Sequence, residues 1–342
     1  MIFVTGGTGM VGSHLLFDLT SRGEKVRALK RSESQIRTTE KIFACYSSEY
    51  QSLLKNIEWV DGDILDKDRL RQLLDGVDQI YHAAAVISFD PGEREEMTHT
   101  NCQGTANLVD LALSMNINQF CHVSSIAAIG SPPEGIEAGE DHPWRNNRDH
   151  SAYSESKYLS EMEVWRAILE GLDAVIVNPS IIIGPGNWTS GSSALFTTIW
   201  KGLKFYTKGV SGFVDVRDVT RAMVHLMDKG IWKTTRNQRY IINSQNISYR
   251  DLFDKIADSL NVKRPKFFAG TILLKMAWRF SALKNFLTGV APSITRETAK
   301  SANKISYYDG SKICRTIGFE YTPVANSIHH VSSLFQKDFS LK

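Results

Sequence analysis

The sequence predicts an α/β protein built on a doubly wound parallel sheet, followed by a small, mostly helical C-terminal domain. Three observations carry the prediction. Short β-branched runs alternate with helix-length stretches through the first half of the chain, which implies right-handed parallel crossovers. A glycine-rich turn, Thr5-Gly-Gly-Thr-Gly-Met-Val-Gly12, joins the first of those strands to the first helix. At 342 residues the chain is long enough for one large domain and a smaller one.

Taken in order, Ile2-Phe3-Val4 reads as a buried strand that breaks at Thr5-Gly6, and residues 13–21 read as the helix that follows. Gly6, Gly9 and Gly12 lie three apart between them. Gly6 permits the tight turn, Gly9 lets the backbone approach a pyrophosphate, and Gly12 lets helix and strand lie close. The N–H groups at the helix N-terminus then face the phosphates, with the positive end of the helix dipole behind them. The expected ligand is a dinucleotide, and the sheet is of Rossmann type.

The second strand, residues 25–31, ends in Lys30 and Arg31, and no acid appears before Glu33. An enzyme that takes NAD usually presents a carboxylate here to the ribose hydroxyls. A guanidinium instead grips a 2′-phosphate through two hydrogen bonds. NADP(H) is therefore favoured and NAD(H) stays open, because two charges at a strand end also serve as a solvated terminus.

Strands over 57–60, 79–85, 119–124 and 174–178, with helices over about 101–115 and 152–170, complete the first half. Ligands of such sheets lie beyond the carboxyl ends of the strands. That rule places candidate site residues at Asp63, Ala83-Ala84-Ala85, Ser124-Ser125 and Asn178-Pro179. Asp63 suits acceptance from an adenine amino group or, equally, capping of the next helix. The three alanines suit a backbone pressed against a cofactor, or plain helix–sheet packing. Residues 130–150, rich in Pro, Gly, Glu and Asn, read as a loop beside the site.

Composition narrows the function classes. A net charge of +3 with no basic block argues against nucleic acid. Cys45, Cys102, Cys121 and Cys314 lack metal-ligand spacing, so no metal is expected and a reducing compartment is. With the first strand at residue 2 and no visible signal peptide, the expected location is the cytoplasm. The apolar run from Thr271 to Phe280 is interrupted by Lys275 and Arg279 and is too short to span a bilayer, although it suits contact with a membrane surface or an apolar substrate.

Tyr153-Ser-Glu-Ser-Lys157 puts a phenol and an ammonium on one helix face, a turn apart. The spacing alone says little: with 11 tyrosines a match is expected by chance, and Tyr308…Lys312 is a second instance. That second pair encloses Asp309-Gly310, which suits a turn. Tyr153 instead opens a helix that follows the strand ending in Ser124-Ser125. A phenol with a pKa of about 10 needs its anion stabilised to exchange protons near neutrality, which Lys157 and a nicotinamide cation would do. Ser125 would hold the substrate oxygen as charge moves there.

With these residues in view, the chain resembles an extended short-chain dehydrogenase/reductase of the NAD-dependent epimerase/dehydratase superfamily. The likeness is carried by the glycine turn, Asp63-Ile64, His82-Ala-Ala-Ala85, Asn101-Cys-Gln-Gly-Thr105, Ser124-Ser125, Tyr153…Lys157, Asn178-Pro-Ser-Ile-Ile-Ile-Gly-Pro-Gly186 and Phe213-Val-Asp-Val-Arg-Asp218. It covers residues 1 to about 245 in the family's order. The resemblance implies Ser125, Tyr153 and Lys157 as the catalytic trio. It prefers Ser125 to Ser124 because the family's catalytic Ser or Thr lies five residues before a glycine, here Gly130. It also implies cofactor contacts from Thr8, Met10, Val11 and Ile64 beside the glycines, from Lys157 on the nicotinamide ribose, and from Pro179 and Ile182 beside the nicotinamide. The dinucleotide-binding domain would be 1–178, with 213–245 returning to it, and 179–212 and 246–342 would form a substrate-binding domain. A homodimer through a four-helix bundle of 101–115 and 152–170 is a further implication, with Leu108, Leu111 and Leu159 facing either a partner or the sheet.

Where sugar-nucleotide dehydratases carry Thr-Asp-Glu, this chain has Ser125-Ile126-Ala127, so the acids needed to expel a hydroxyl are absent. The segment between Gly186 and Phe213 is short and resembles the dihydroflavonol reductase-like and hydroxysteroid dehydrogenase-like branches. Its aromatics Trp188, Phe196, Trp200, Phe205 and Tyr206 are expected to pack inward. Arg217 suits an anionic substrate or an ion pair with Asp218. The resulting expectation is an NADP(H)-dependent oxidoreductase that interconverts a carbonyl and a secondary alcohol on a small organic substrate, Tyr153 being the general acid/base. The alternative is a nucleotide-sugar epimerase with tightly bound NAD.

Overall fold

In a computed structural model of the protein, residues 1–32, 36–88, 90–130, 132–133, 135–144, 150–288 and 295–340 are described. The chain runs β1 (Ile2–Thr5), α1 (Met10–Ser21), β2 (Val26–Lys30), α2 (Arg37–Tyr46), α3 (Tyr50–Leu54), β3 (Ile57–Asp61), α4 (Lys67–Leu73), β4 (Gln79–His82), α5 (Arg94–Ser114), β5 (Gln119–Val123), β6 (Glu137–Ala138), α6 (Ala152–Leu169) and β7 (Ala174–Pro179). It continues through β8 (Ile181–Ile183), α7 (Ala194–Trp200), β9 (Phe205–Tyr206), β10 (Val210–Asp215), α8 (Val216–Leu226), α9 (Trp232–Thr235), β11 (Gln238–Ile242), β12 (Gln245–Ser248), α10 (Tyr249–Ser259), β13 (Phe267–Phe268), α11 (Thr271–Thr288), α12 (Arg296–Ser301), β14 (Tyr307–Tyr308), α13 (Ser311–Ile317) and α14 (Val324–Ser340).

Seven parallel strands form the central sheet in the order β11-β7-β5-β4-β1-β2-β3. The order reverses direction between β1 and β4, and a crevice opens at the carboxyl ends on either side of such a switch. Both faces are covered, which is why the strands read as continuous apolar runs. Ile2 and Val4 pack with Leu15, Leu16 and Met223 on one face, while Phe3 packs with Leu70, Leu108 and Leu111 on the other. Val175 and Val177 of β7 alternate with Ala174 and Ile176 in the same way. A separate apolar cluster joins Ile183, Phe196 and Phe213 to Leu252, Ile256, Val331 and Phe335.

Several expected boundaries move. The second strand stops at Lys30 and leaves Arg31 on the loop, and the fourth stops at His82, because β1 offers no further partner once Gly6 turns away. Helix α5 starts at Arg94, earlier than expected, because its first two turns are polar and bury only Met97. Leu108 and Leu111 face the sheet and are fully buried, whereas Leu159 is partly exposed on α6 with Met162 and Leu169. The loop over 130–150 contains β6, which pairs with β14; its residues 131, 134 and 145–149 lie outside the described residues, as do Glu33, 289–294 and 341–342. Of the aromatics expected to pack inward, Phe196 and Trp188 do and Tyr206 is half-buried, while Trp200, which packs on Phe335 and Phe339, and Phe205 each keep part of the ring exposed. Tyr308 and Lys312 sit on different elements across a turn, as Asp309-Gly310 suggested. Arg217 pairs with Asp215 through both ends of its guanidinium (2.9 and 2.6 Å), not with Asp218, which instead holds Arg221 and the backbone of Thr322.

Candidate active site

The glycine turn is built by close approach. Gly6 has φ +73°, and a Cβ there would lie 2.6 Å from the Ala83 carbonyl carbon and the Ala84 nitrogen. A Cβ on Gly12 would lie 2.0 Å from the Gly6 oxygen, so α1 rests directly on the turn. Gly9 differs: the nearest protein atom to its Cβ position, the Gly6 oxygen, is 3.3 Å away. Gly9 also caps α1 without any side-chain hydrogen bond, which leaves the first N–H groups of the helix for a ligand.

A cavity of about 200 Å³ opens over this turn. Gly6, Thr8 and Gly9 line it from below, Arg31 from the end of β2, Asp63 and Ile64 from beyond β3, and Ala83, Ala84 and Ala85 from beyond β4. Leu29, Lys30, Gly62, Val86 and Thr100 line it too. Most of these flank an expected position, and only Thr100, on α5, gave no sign in the sequence. Met10, Val11, Gly12, Pro179 and Ile182 do not line this cavity: Met10 abuts Gly186, Val11 and Ile182 pack on the main core, and Pro179 ends β7. The cavity at a helix N-terminus, with glycines wherever a Cβ would intrude, fits a dinucleotide's phosphates and adenosine.

The two basic residues at the end of β2 have different surroundings. Lys30 pairs with Asp61, its register partner at the end of β3, which the linear sequence places 31 residues away. Arg31 is exposed and has no carboxylate partner among the described residues. Asp63 accepts from the Leu65 N–H (2.9 Å) in a local turn, while the cap of α4 is Asp66 (2.9 Å to the Arg69 N–H). The capping alternative for Asp63 therefore falls away.

Beyond β5 the two serines diverge. Ser124 is buried and donates to Glu161 (2.6 Å). Ser125 stays at the edge, accepts from the Ala127 N–H (3.1 Å) and neighbours the Tyr153 hydroxyl. Tyr153 is presented by the first turn of α6, which is capped by Ser151 (3.0 Å to the Ser154 N–H). Burial raises the phenol's pKa, and the neighbouring Ser125 hydroxyl pulls it back. Lys157, buried one turn on, donates to the Val123 carbonyl at 2.7 Å. The ammonium is thus fixed on the end of β5, and Tyr153 owes its own shift to burial and Ser125, not to Lys157. Burial also lowers the Lys157 pKa to about 8, partly offset by Glu161.

Glu161, four residues after Lys157 on the same face, was not anticipated. It is 2% exposed. One carboxylate oxygen accepts from Ser124 and the Asn178 amide (2.7 Å), the other from the Trp165 indole (3.2 Å) and Arg239 (3.0 Å). Asn178 also donates to the Ser125 carbonyl (3.0 Å), so β5, β7, β11 and α6 are joined beneath the serine. The stripe Tyr153–Lys157–Glu161 was the available signal. Behind it, His82 bridges Thr5 (2.7 Å) and Thr105 (3.0 Å), with its pKa lowered to about 3 by burial and by the Lys157 charge.

Comparison with known proteins places this geometry. Residues 2–237 match the NAD dependent epimerase/dehydratase family. A protein of Synechocystis sp. named "Putative dihydroflavonol 4-reductase" is 30% identical, over 98% of this chain and 94% of that one. Sterol demethylase protein B of Methylococcus capsulatus is 31% identical over 77% of this chain and 75% of its own. Among solved structures, gox2253 is 28% identical with a TM-score of 0.79, covering 99% of this chain and 98% of that chain. The chain belongs to the NAD-dependent epimerase/dehydratase family and is an enzyme of the extended short-chain dehydrogenase/reductase type.

Proposed function

We propose that the protein is an NADP(H)-dependent oxidoreductase that interconverts a carbonyl and a secondary alcohol on a small organic substrate. The observation that carries this reading is the gathering of Ser125, from the end of β5, with Tyr153 and Lys157, from the first turns of α6, at the carboxyl edge of the sheet. The cofactor supplies and accepts hydride when bound, held at its phosphates by the turn and α1. Tyr153 gives its hydroxyl proton to the substrate oxygen in reduction and takes it back in oxidation. Ser125 orients that oxygen by hydrogen bond. Lys157, held on the Val123 carbonyl one turn beyond Tyr153, would contact the nicotinamide ribose. Segments 179–212 and 246–342, which share an apolar cluster with Phe213, supply the substrate side. Preference for NADP(H) rests on Arg31 alone, since Asp61 neutralises Lys30.

Two measurements test the proposal. Tyr153→Phe abolishes turnover while leaving cofactor affinity within about twofold, because the ring stays and one hydroxyl goes; equal loss of both would make Tyr153 structural. Mass spectrometry of cofactor released on denaturation separates the reductase from an epimerase, which regenerates its cofactor each cycle and retains it. Near-stoichiometric NAD would overturn the reading in favour of the epimerase.

A further inference from the structure

The edge formed by β9, β13 and the start of α11 inverts the usual surface pattern. Strands β9 and β13 pair in register, Phe205 opposite Phe267 and Tyr206 opposite Phe268, and both phenylalanine rings of the first pair face solvent. Two residues after β13, α11 begins with its apolar side outward: Ile272 is 78%, Leu273 40% and Met276 51% exposed, while Leu274 is buried. At about 100° per residue, Ile272, Met276 and Leu273 share one arc of the helix, nearly opposite Leu274. A surface helix normally turns that arc to the core. Here it follows the exposed Phe205–Phe267 pair within a few residues of β13, an apolar strip along the chain unlike scattered exposed side chains, which need no explanation.

The two stretches of chain that carry the strip hold basic charge alone, and Asp258, at the border of the second, is paired with Arg264. No Asp or Glu occurs between Asp173 and Asp215, nor between Asp258 and Glu297, yet these two stretches hold three lysines and seven Lys and Arg residues respectively. Lys201, Lys204, Lys263, Lys266 and Lys275 are all exposed, and Lys208 lies 4.7 Å over the Phe268 ring. Apolar side chains ringed by cations fit a bilayer whose headgroups are anionic: the strip enters the acyl boundary while the lysines meet phosphates. A second copy of this chain fits poorly, because a two-fold contact would bring two basic rims together. No described helix is long and apolar enough to cross a membrane, so the contact is peripheral.

We propose that this edge is a docking surface for an anionic phospholipid bilayer. The inference goes beyond the carbonyl–alcohol reading and does not depend on it. It bears on access to the site, since α12, which packs on α11, accepts from the Ala152 N–H through Glu297 (3.2 Å), one residue before Tyr153.

The test is co-sedimentation of the purified full chain with vesicles of phosphatidylcholine alone and of phosphatidylcholine mixed with phosphatidylglycerol, at low and raised salt. Two variants are compared, Ile272→Asp/Met276→Asp and Lys204→Glu/Lys266→Glu, with cofactor-dependent thermal shift as the check that each is folded. Binding to the mixed vesicles that weakens with salt, and falls roughly tenfold or more in each variant, supports the proposal. It is overturned if the wild type stays in solution with mixed vesicles at low salt. Binding that neither variant changes would place the contact elsewhere and also overturn it. So would light scattering that shows a dimer dispersed by Ile272→Asp/Met276→Asp, since a second copy would then cover the strip.

Discussion

Replacing Gly9 and Gly12 by alanine separates ligand-imposed from fold-imposed glycine. In Gly12→Ala the new methyl starts 2.0 Å from the Gly6 carbonyl oxygen and 2.9 Å from the Gly7 Cα. Both are backbone, so no rotamer relieves them, and α1 must move off the turn by about 1 Å. Overpacking of that kind costs about 3 kcal/mol, and the gain in helix propensity returns about 1, leaving a net loss of about 2 kcal/mol. With an unfolding entropy of about 2.1 cal/mol/K per residue, that is a drop in Tm of about 3 °C for this chain. In Gly9→Ala the nearest protein atom is 3.3 Å away and φ is −86°, which alanine adopts freely. Its stability should stay within about 0.5 kcal/mol of the wild type. Its methyl, however, points where the phosphates pass, and cofactor binding should weaken by tenfold or more, about 1.4 kcal/mol. The assay pairs thermal unfolding without cofactor with fluorescence titration of NADPH. If Gly9→Ala lost as much stability as Gly12→Ala, or bound cofactor like the wild type, the assignment of Gly9 to the ligand would be wrong.

Other consequences follow from single side chains. Arg31→Ala should weaken NADPH about tenfold and leave NADH unchanged, because only the 2′-phosphate distinguishes them; equal weakening of both would refute the preference. Glu161→Ala strands Arg239, Ser124, the Asn178 amide and the Trp165 indole, and should cost about 3–5 kcal/mol in urea unfolding. Glu161→Gln keeps part of that network, yet it should move the Lys157 titration below its value of about 8, since the carboxylate now raises it. Acid should destabilise the protein through its buried histidines. His14 and His82 are held neutral, with pKa values lowered to about 4 and about 3 by burial. The unfolded chain binds those protons from about pH 6.5, so stability present above 6.5 is lost as the pH falls toward 4. At pH 5 each histidine should account for about 2 kcal/mol. A His14→Gln variant whose unfolding energy kept the wild-type slope between pH 6.5 and 5 would contradict this.

What could be read in advance was local. Gly6, Gly9 and Gly12 declare themselves by spacing, because each glycine relieves a clash within one turn of chain. Tyr153 and Lys157 declare themselves by helical periodicity, because four residues of α-helix return to the same face. The alternation of apolar runs and helices gave the parallel sheet for the same reason. The features that moved were a polar helix start and a short-range ion pair, neither of which a hydrophobic pattern marks. Residues 94–100 fall outside the expected helix, which begins at about residue 101, because that first part is held by one buried methionine and a polar exterior. For Arg217 the sequence offers an anionic substrate or Asp218 as partner, whereas the backbone at the start of α8 turns Asp215 toward it.

The sequence by itself determined the fold class, the position of the phosphate turn and the placing of phenol and ammonium on one helix face, since each is set by neighbours a few residues apart. Tertiary structure alone decided which cation at the end of β2 remains for a ligand. Strand register sets Lys30 against Asp61, and no feature of residues 25–31 foretells that partner. It also decided that Ser124 turns to Glu161 while Ser125 meets Tyr153, and that Lys157 ends on the Val123 carbonyl. These choices depend on where β5, β7 and α6 come to rest against one another, and that is fixed by packing across the whole sheet rather than by any run of adjacent residues.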